Sequence, residues 1–217
     1  AMPSTVVHLA LAGLIAAALL RESFGLRSLA VVAALVIVPD LDAFAGLLID
    51  GGHRALLHSL WFPVGLAGLL YYDTRVRTDS WLAGQFEGKG PRVAWVGVVA
   101  LVFAGIGPDL FGAGANVFYP FYDQFLAFDG TIELSTHRGF VQTFVDLAPD
   151  AVGGSEITQG STNEVHISSG IDPQAGAEPE NVERIFPIVR SGQQLLLVVT
   201  SAVVVSGRLL ETRPKRD

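Results

Sequence analysis

The sequence predicts an all-α integral membrane bundle of about five transmembrane helices with a small β-containing segment outside the membrane. Three observations predict it. Half of the 217 residues are apolar and only 16% are charged, where a soluble domain carries about 25% charged residues. The mean hydropathy of +0.46 is gathered into five blocks that approach the ~20 apolar residues needed to cross about 30 Å of hydrocarbon. An acidic polar segment of about 75 residues separates the fourth block from the fifth.

The blocks are Val6–Leu20, Leu26–Ile49, Leu56–Tyr72, Val93–Phe111 and Leu195–Leu210. A cleavable signal peptide in place of the first would need a basic leading region and a small-residue cleavage site. The stretch Ala1-Met2-Pro3-Ser4-Thr5 has no positive charge, so the block reads as a retained span. In the acidic segment, Thr131–Ser135 and Phe140–Leu147 read as a hairpin around Thr136-His137-Arg138-Gly139. Glu156–Thr158 and Val165–Ser168 read as a second pair, and Ile171–Asn181 as a loop. The chain thus divides into a four-helix core (1–114), an acidic extracytoplasmic cap (115–190), and a fifth helix with a basic tail (191–217).

Basic residues alternate between the connections. Arg21 and Arg27 follow the first block. Arg75, Arg77, Lys89 and Arg92 lie between the third and fourth, and Arg208, Arg213, Lys215 and Arg216 close the chain. From Gly107 to Arg190 there are 12 acidic residues and only three Arg. The positive-inside rule therefore places the N-terminus and the cap outside and the C-terminus in the cytoplasm of a multi-pass plasma-membrane protein. The formal charge of −7, with 12 Arg and 2 Lys, fits a surface bathed in high salt. It disfavours nucleic acid as a partner, leaving membrane lipid as environment and candidate substrate. No cysteine is present, which excludes disulfides and thiolate metal sites. Nothing in the sequence sets the oligomeric state.

Ionisable side chains within apolar spans are costly and are functional candidates by default. Here they are His8, Asp40, Asp42, His58 and Asp109, with His53 and Arg54 at the entry to the third block. The topology delivers them from four helices to one level beneath the outer surface. Three imidazoles and three carboxylates suit a divalent ion, zinc or manganese foremost. Local geometry agrees only in part. Asp40 and Asp42 stand about 200° apart on a regular helix, unless Pro39 opens an irregular turn. Arg54 and His58, four apart, would share a helix face. The plainer readings stand beside these. A lone His8 is as readily a helix–helix hydrogen bond, Asp40 a turn residue after Pro39, and Arg54 a snorkelling interfacial cation. His137 and His166 read as solvated hairpin residues, and Phe118, Tyr119, Phe121 and Tyr122 as an interfacial aromatic belt.

His8, Val38-Pro39-Asp40-Leu41-Asp42 and His53-Arg54-Ala55-Leu56-Leu57-His58-Ser59, with Ile106-Gly107-Pro108-Asp109-Leu110 and Gly114-Ala115-Asn116-Val117-Phe118-Tyr119-Pro120, resemble the LexA-regulated inner-membrane family of metal-dependent hydrolases (YdjM-like). The resemblance covers about residues 5–122. It implies a fold distantly similar to zinc-dependent phospholipase C and phosphoester cleavage at a helix-bundle metal cluster. The family pattern has a histidine four residues before the late aspartate, where this chain has Gly105. One ligand is then missing, or another group such as His137 replaces it, or activity is lost. The reading that follows is a metal-dependent hydrolase of a phosphoester in a lipid or other amphiphile. Its ligands are His8, Asp40, His53, His58 and Asp109, with Asp42 as bridging ligand or general base and Arg54 holding developing phosphate charge. The alternative is a non-catalytic membrane module in which the polar cluster fixes helix packing or a structural metal. An ion transporter is disfavoured, since no acidic residue sits in the inner half of a span.

Overall fold

The computed structural model describes residues 3–49, 51–144, 157–176 and 180–212. About half the chain is helical. The main helices are α1 (Thr5–Leu19), α2 (Leu26–Ile37), α3 (Trp61–Tyr71), α4 (Gly90–Ala100), the short α5 (Gly107–Leu110) and α6 (Gly192–Glu211). A π-helical turn at Leu101–Ile106 joins α4 to α5, so Gly90–Leu110 is one 21-residue apolar helix. Among the described residues it is one of three helices long and apolar enough to cross a membrane, with Leu26–Leu47 and Gly192–Glu211.

Three of the five expected spans thus have the length and composition to cross a membrane. The first block makes a helix of 15 residues, and the third an 11-residue α-helix continued by a π-helical turn, Tyr72–Val76. Leu56–Ser59, read as the start of the third span, are spent on turns. At about 1.5 Å per residue, α1 covers roughly 22 Å and α3 roughly 16 Å before its π-helical turn, both short of the ~30 Å of hydrocarbon.

Small side chains let the helices approach closely. The interior of α1, α2 and α4 is built from Ala12, Ala16, Val32, Val36, Val93, Val96, Ala100 and Ala104, closed by Leu20 and Phe24. Gly13 on α1 lies where an added Cβ would meet Ser201 Oγ at 2.9 Å, and the Ser201 hydroxyl donates to the Ala10 carbonyl at 2.7 Å. A small residue plus an interhelical hydrogen bond is how helices associate in lipid, where apolar burial offers no driving force. Cations gather at the far end of the bundle. Arg92, Lys89 and Arg208 donate to the carbonyls of Leu19, Glu22 and Arg21, satisfying acceptors at and just beyond the C-terminus of α1.

The cap holds four short strands: β1 (Phe125–Leu126), β2 (Ile132–Ser135), β3 (Gly139–Gln142) and β4 (Thr158–Gly160). The first expected hairpin is present as β2–β3, in register Ser135↔Gly139 to Ile132↔Gln142. Residues 145–147, its expected continuation, lie outside the described residues. The second expected hairpin is not formed. Thr158–Gly160 pairs with β1 instead, and the Glu164 and Val165 amides fold back onto the Ser161 carbonyl at 3.0 Å. Asp123 is the cause. Its carboxylate accepts the Thr162 amide (3.1 Å) and hydroxyl (2.7 Å), drawing this turn toward β1. Glu156, and residues 177–179 of the expected loop, also lie outside the described residues.

Candidate metal centre

Pro39 organises the first half of the centre. It cannot donate a backbone hydrogen bond, and α2 gives way at this point to a tight 3-10 turn, Pro39–Ala43. At about three residues per turn, Asp40 and Asp42 point in different directions and engage different histidines. Asp40 Oδ1 lies 3.6 Å from His8 Nδ1, and its other oxygen accepts the Thr5 hydroxyl, one turn before His8. Asp42 Oδ2 lies 2.9 Å from His58 Nδ1 and also accepts the Leu57 amide at 3.3 Å.

Asp109, on α5, joins the two sets. Its Oδ2 is 2.9 Å from His58 Nε2. Its Oδ1 is 3.6 Å from His8 Nε2 and 2.7 Å from Arg54 Nη2. His8, Asp42, Arg54, His58 and Asp109 are all buried. Both ring nitrogens of His8 nevertheless lack a hydrogen-bond partner, as do Asp42 Oδ1 and Arg54 Nε and Nη1. Buried polar atoms are almost always satisfied, so a histidine held between two carboxylates beyond hydrogen-bonding distance fits an intervening cation.

Among the described residues, one atom each from His8, Asp40 and Asp109 lie within 4.8 Å of one another, and this group can hold a metal ion. The donor set of one imidazole and two carboxylates suits a borderline or hard divalent ion. His58 stands against the same carboxylate, with Asp42 behind its far nitrogen. That carboxylate–histidine order is the arrangement that orients a ligating imidazole from its outer side.

The segment 51–60 is non-helical, so Arg54 and His58 do not share a helix face as expected. Arg54 adopts a left-handed backbone with φ of 61°, and its carbonyl accepts the Asn116 amide at 2.8 Å. The guanidinium is buried against Asp109, and snorkelling is thereby excluded. His53 is tied to the cap by one ring nitrogen. Its Nδ1 lies 2.8 Å from the Ile167 carbonyl of the cap, which assigns the proton to Nδ1 and leaves Nε2 as a proton acceptor. Burial holds this imidazole below its ordinary range, outweighing the carbonyl that raises it.

A cavity of about 500 Å³ opens over the group, with Asp40, His53 and Arg54 in its wall beside Val6, Ile171, Phe186 and Ile188. The cap segments 168–173 and 183–190 form its outer side.

Gly105, four residues before Asp109, is closely packed. A Cβ there would meet the Val36 carbonyl at 3.2 Å and Pro39 Cγ at 3.5 Å. The α2 backbone at Val36 and the side chains of Pro39 and Leu101 thus crowd the place a larger side chain would take. His137 does not substitute, for it is exposed at the β2–β3 turn. His166 sits in the cap, with Nδ1 3.8 Å from Asp172 Oδ2.

Sequence reasoning missed Thr5, and it missed what Asn116 and Ser59 do. Asn116 is fully buried, and its side-chain amide donates to Asp123 at 2.6 Å. Ser59 donates to the Tyr119 carbonyl at 2.7 Å. The Ser59 bond and the Asn116 backbone amide on the Arg54 carbonyl clamp the His53–Ser59 segment against 115–120, while the Asn116 side chain fixes that stretch to Asp123. The signals available were Thr5 three residues before His8, and an amide side chain set among apolar and aromatic neighbours.

The fold and site thus define a helical, membrane-compatible protein with a buried His/Asp group able to hold a metal ion. Compared with known proteins, the chain matches no family model, no curated protein and no solved structure.

Proposed function

We propose that the protein is a metal-dependent hydrolase, acting on a phosphoester in a lipid or other amphiphile at the outer membrane surface, of the YdjM-like kind. The observation that carries this reading is His8, buried between Asp40 and Asp109 with both ring nitrogens unpartnered. A catalytic cavity beside it, walled by charged and apolar residues together, supports an amphiphilic substrate.

His8, Asp40 and Asp109 hold the ion, zinc or manganese, and His58 is positioned by Asp42 to join them. When bound, such an ion supplies Lewis acidity and lowers the pKa of its water. Arg54 presents a guanidinium fixed on Asp109, with Nε and Nη1 unpaired, to the negative charge developing on a phosphoryl oxygen. His53 holds a proton on Nδ1 against Ile167 and accepts or returns one at Nε2 on the cavity wall. Asp42, read from sequence as a bridging ligand or base, takes the orienting role instead. In the membrane, α1 and α3 complete a five-helix bundle too short at two positions to span unaided. The basic end carrying Lys89, Arg92 and Arg208 faces the cytoplasm.

A second reading has its own observation. Asp109 already meets both Arg54 and His58, so the cluster holds helices together without an ion, as a non-catalytic packing device. Elemental analysis of the purified protein, with Asp40→Asn alongside, separates the two. The hydrolase reading expects zinc or manganese in the wild type, and turnover of a short-chain phosphodiester lipid. Asp40→Asn should lose both while melting, ion-free, within a few degrees of ion-free wild type. No bound ion, no ion-dependent thermal shift and a large loss of stability in Asp40→Asn would leave the packing reading in its place.

A further inference from the structure

The β2–β3 hairpin carries an amphipathic pattern that the metal centre does not use. Side chains alternate across a strand, and the register pairs Leu134 with Phe140, Ile132 with Gln142 and Glu133 with Val141. Ile132, Leu134 and Phe140 therefore share one face with the half-buried Gln142, and the three are 65, 85 and 70% exposed. On the other face the Arg138 guanidinium donates to Glu133, and Val141 is half-buried. A two-stranded hairpin is marginal in water without a layer against its apolar side.

The base of this hairpin is tied to the membrane-crossing helix. Phe111 follows directly on the Gly90–Leu110 span, and its ring meets Phe128 at 5.8 Å and Phe144 at 6.2 Å, one on each side of the hairpin. Phe111 is itself exposed, as is Phe103 within the span. The base of the hairpin is thus joined to the exposed apolar end of a helix suited to lipid.

We propose that the β2–β3 hairpin is a membrane-inserting element whose Ile132, Leu134 and Phe140 side chains enter the lipid of the leaflet on the cap's side. Aromatic and aliphatic side chains gain most from this depth, while the Glu133–Arg138 pair stays at headgroup level. The inference needs only that the Gly90–Leu110 helix spans the bilayer, and stands or falls apart from the hydrolase reading.

The chain has no cysteine, so single cysteines can be placed without background. Leu134→Cys and Phe140→Cys, labelled with an environment-sensitive dye in nanodiscs containing brominated lipid, should be quenched severalfold more than Glu133→Cys and Val141→Cys. In unmutated strands, lipid should also protect the hairpin from protease, and the Leu134→Ser/Phe140→Ser variant should lose that protection. Equal quenching on both faces, or none on either, would overturn the proposal. So would shielding of positions 134 and 140 that appears without lipid quenching and rises with protein concentration, since a second copy would then cover the face.

Discussion

Asp109 meets three partners with one carboxylate: Arg54 and His58 at hydrogen-bonding distance, and His8 at 3.6 Å. Removing one member of a buried ion pair strands the other, at a cost of about 3–5 kcal/mol, whereas replacing both with apolar groups is often neutral. Asp109→Asn should therefore destabilise the protein by about that amount, and Asp109→Asn with Arg54→Met by less than the single change. Chemical denaturation of the four proteins of this cycle checks the ordering. If the double variant were the less stable, Arg54 would owe its burial to something other than Asp109. A residue-scale prediction also follows from Gly105. A Cβ there presses on the Val36 carbonyl at 3.2 Å, so Gly105→His should lower stability by about 1–3 kcal/mol, the ordinary cost of overpacking. A gain in metal affinity at unchanged stability would show that the turn has more room than this packing gives it.

At the scale of elements, the cap is held to the site by a small core of its own. Phe125 of β1 is fully buried against Ala55, beside Arg54, and against Ile167, whose carbonyl meets His53. Gly51 reinforces the join: its φ is +65°, and a Cβ there would lie 2.1 Å from the Thr162 carbonyl oxygen. Phe125→Ala should cost about 3–5 kcal/mol and expose the 157–176 segment to protease while the helices stay resistant. On the other side of the bundle, Asp73 organises the turn after α3. It accepts from the Ser80 hydroxyl (2.7 Å), the Trp81 and Leu82 amides (3.1 Å each) and Arg77. These donors, Ser80 first, hold its carboxyl below the usual carboxylate range. A depressed pKa gives stabilisation that is present above the unfolded value of about 3.9 and lost as pH falls through the lower folded value. The Trp81 and Leu82 amide resonances should therefore keep their positions down to below pH ~3.9 and then move together, and Asp73→Asn should remove that transition.

For the whole molecule, an ion bound only by the folded chain stabilises it by mass action. At an ion concentration 100 times the Kd the gain is about 2.7 kcal/mol. Because α1, the Pro39 turn, the 51–60 segment and α5 all supply side chains to one centre, the stabilisation should appear as a single shifted transition of the entire bundle. A thermal melt with and without chelator measures it. An ion that raised only the melting of the cap would point to His166 and Asp172 as its ligands.

The apolar blocks, the acidic cap and the seven ionisable residues of the centre were legible from composition and spacing, because an ionisable group in an apolar run has few plain explanations. Pro39 announced a break in α2. The direction of each carboxylate after that break did not follow from spacing, since the path the backbone takes at the break, and not the residue count, sets where each points. Nor did the 51–60 segment, whose periodicity reads as helix while Asn116, Val117 and Tyr119 hold it in turns through bonds to residues about 60 positions distant. The sequence by itself determined which side chains are available and that they converge at one end of an apolar bundle, since hydropathy and charge are local properties. Only the tertiary structure decided the pairings: Asp40 with His8, Asp42 with His58, His53 with the cap. Those depend on backbone directions set by long-range contacts.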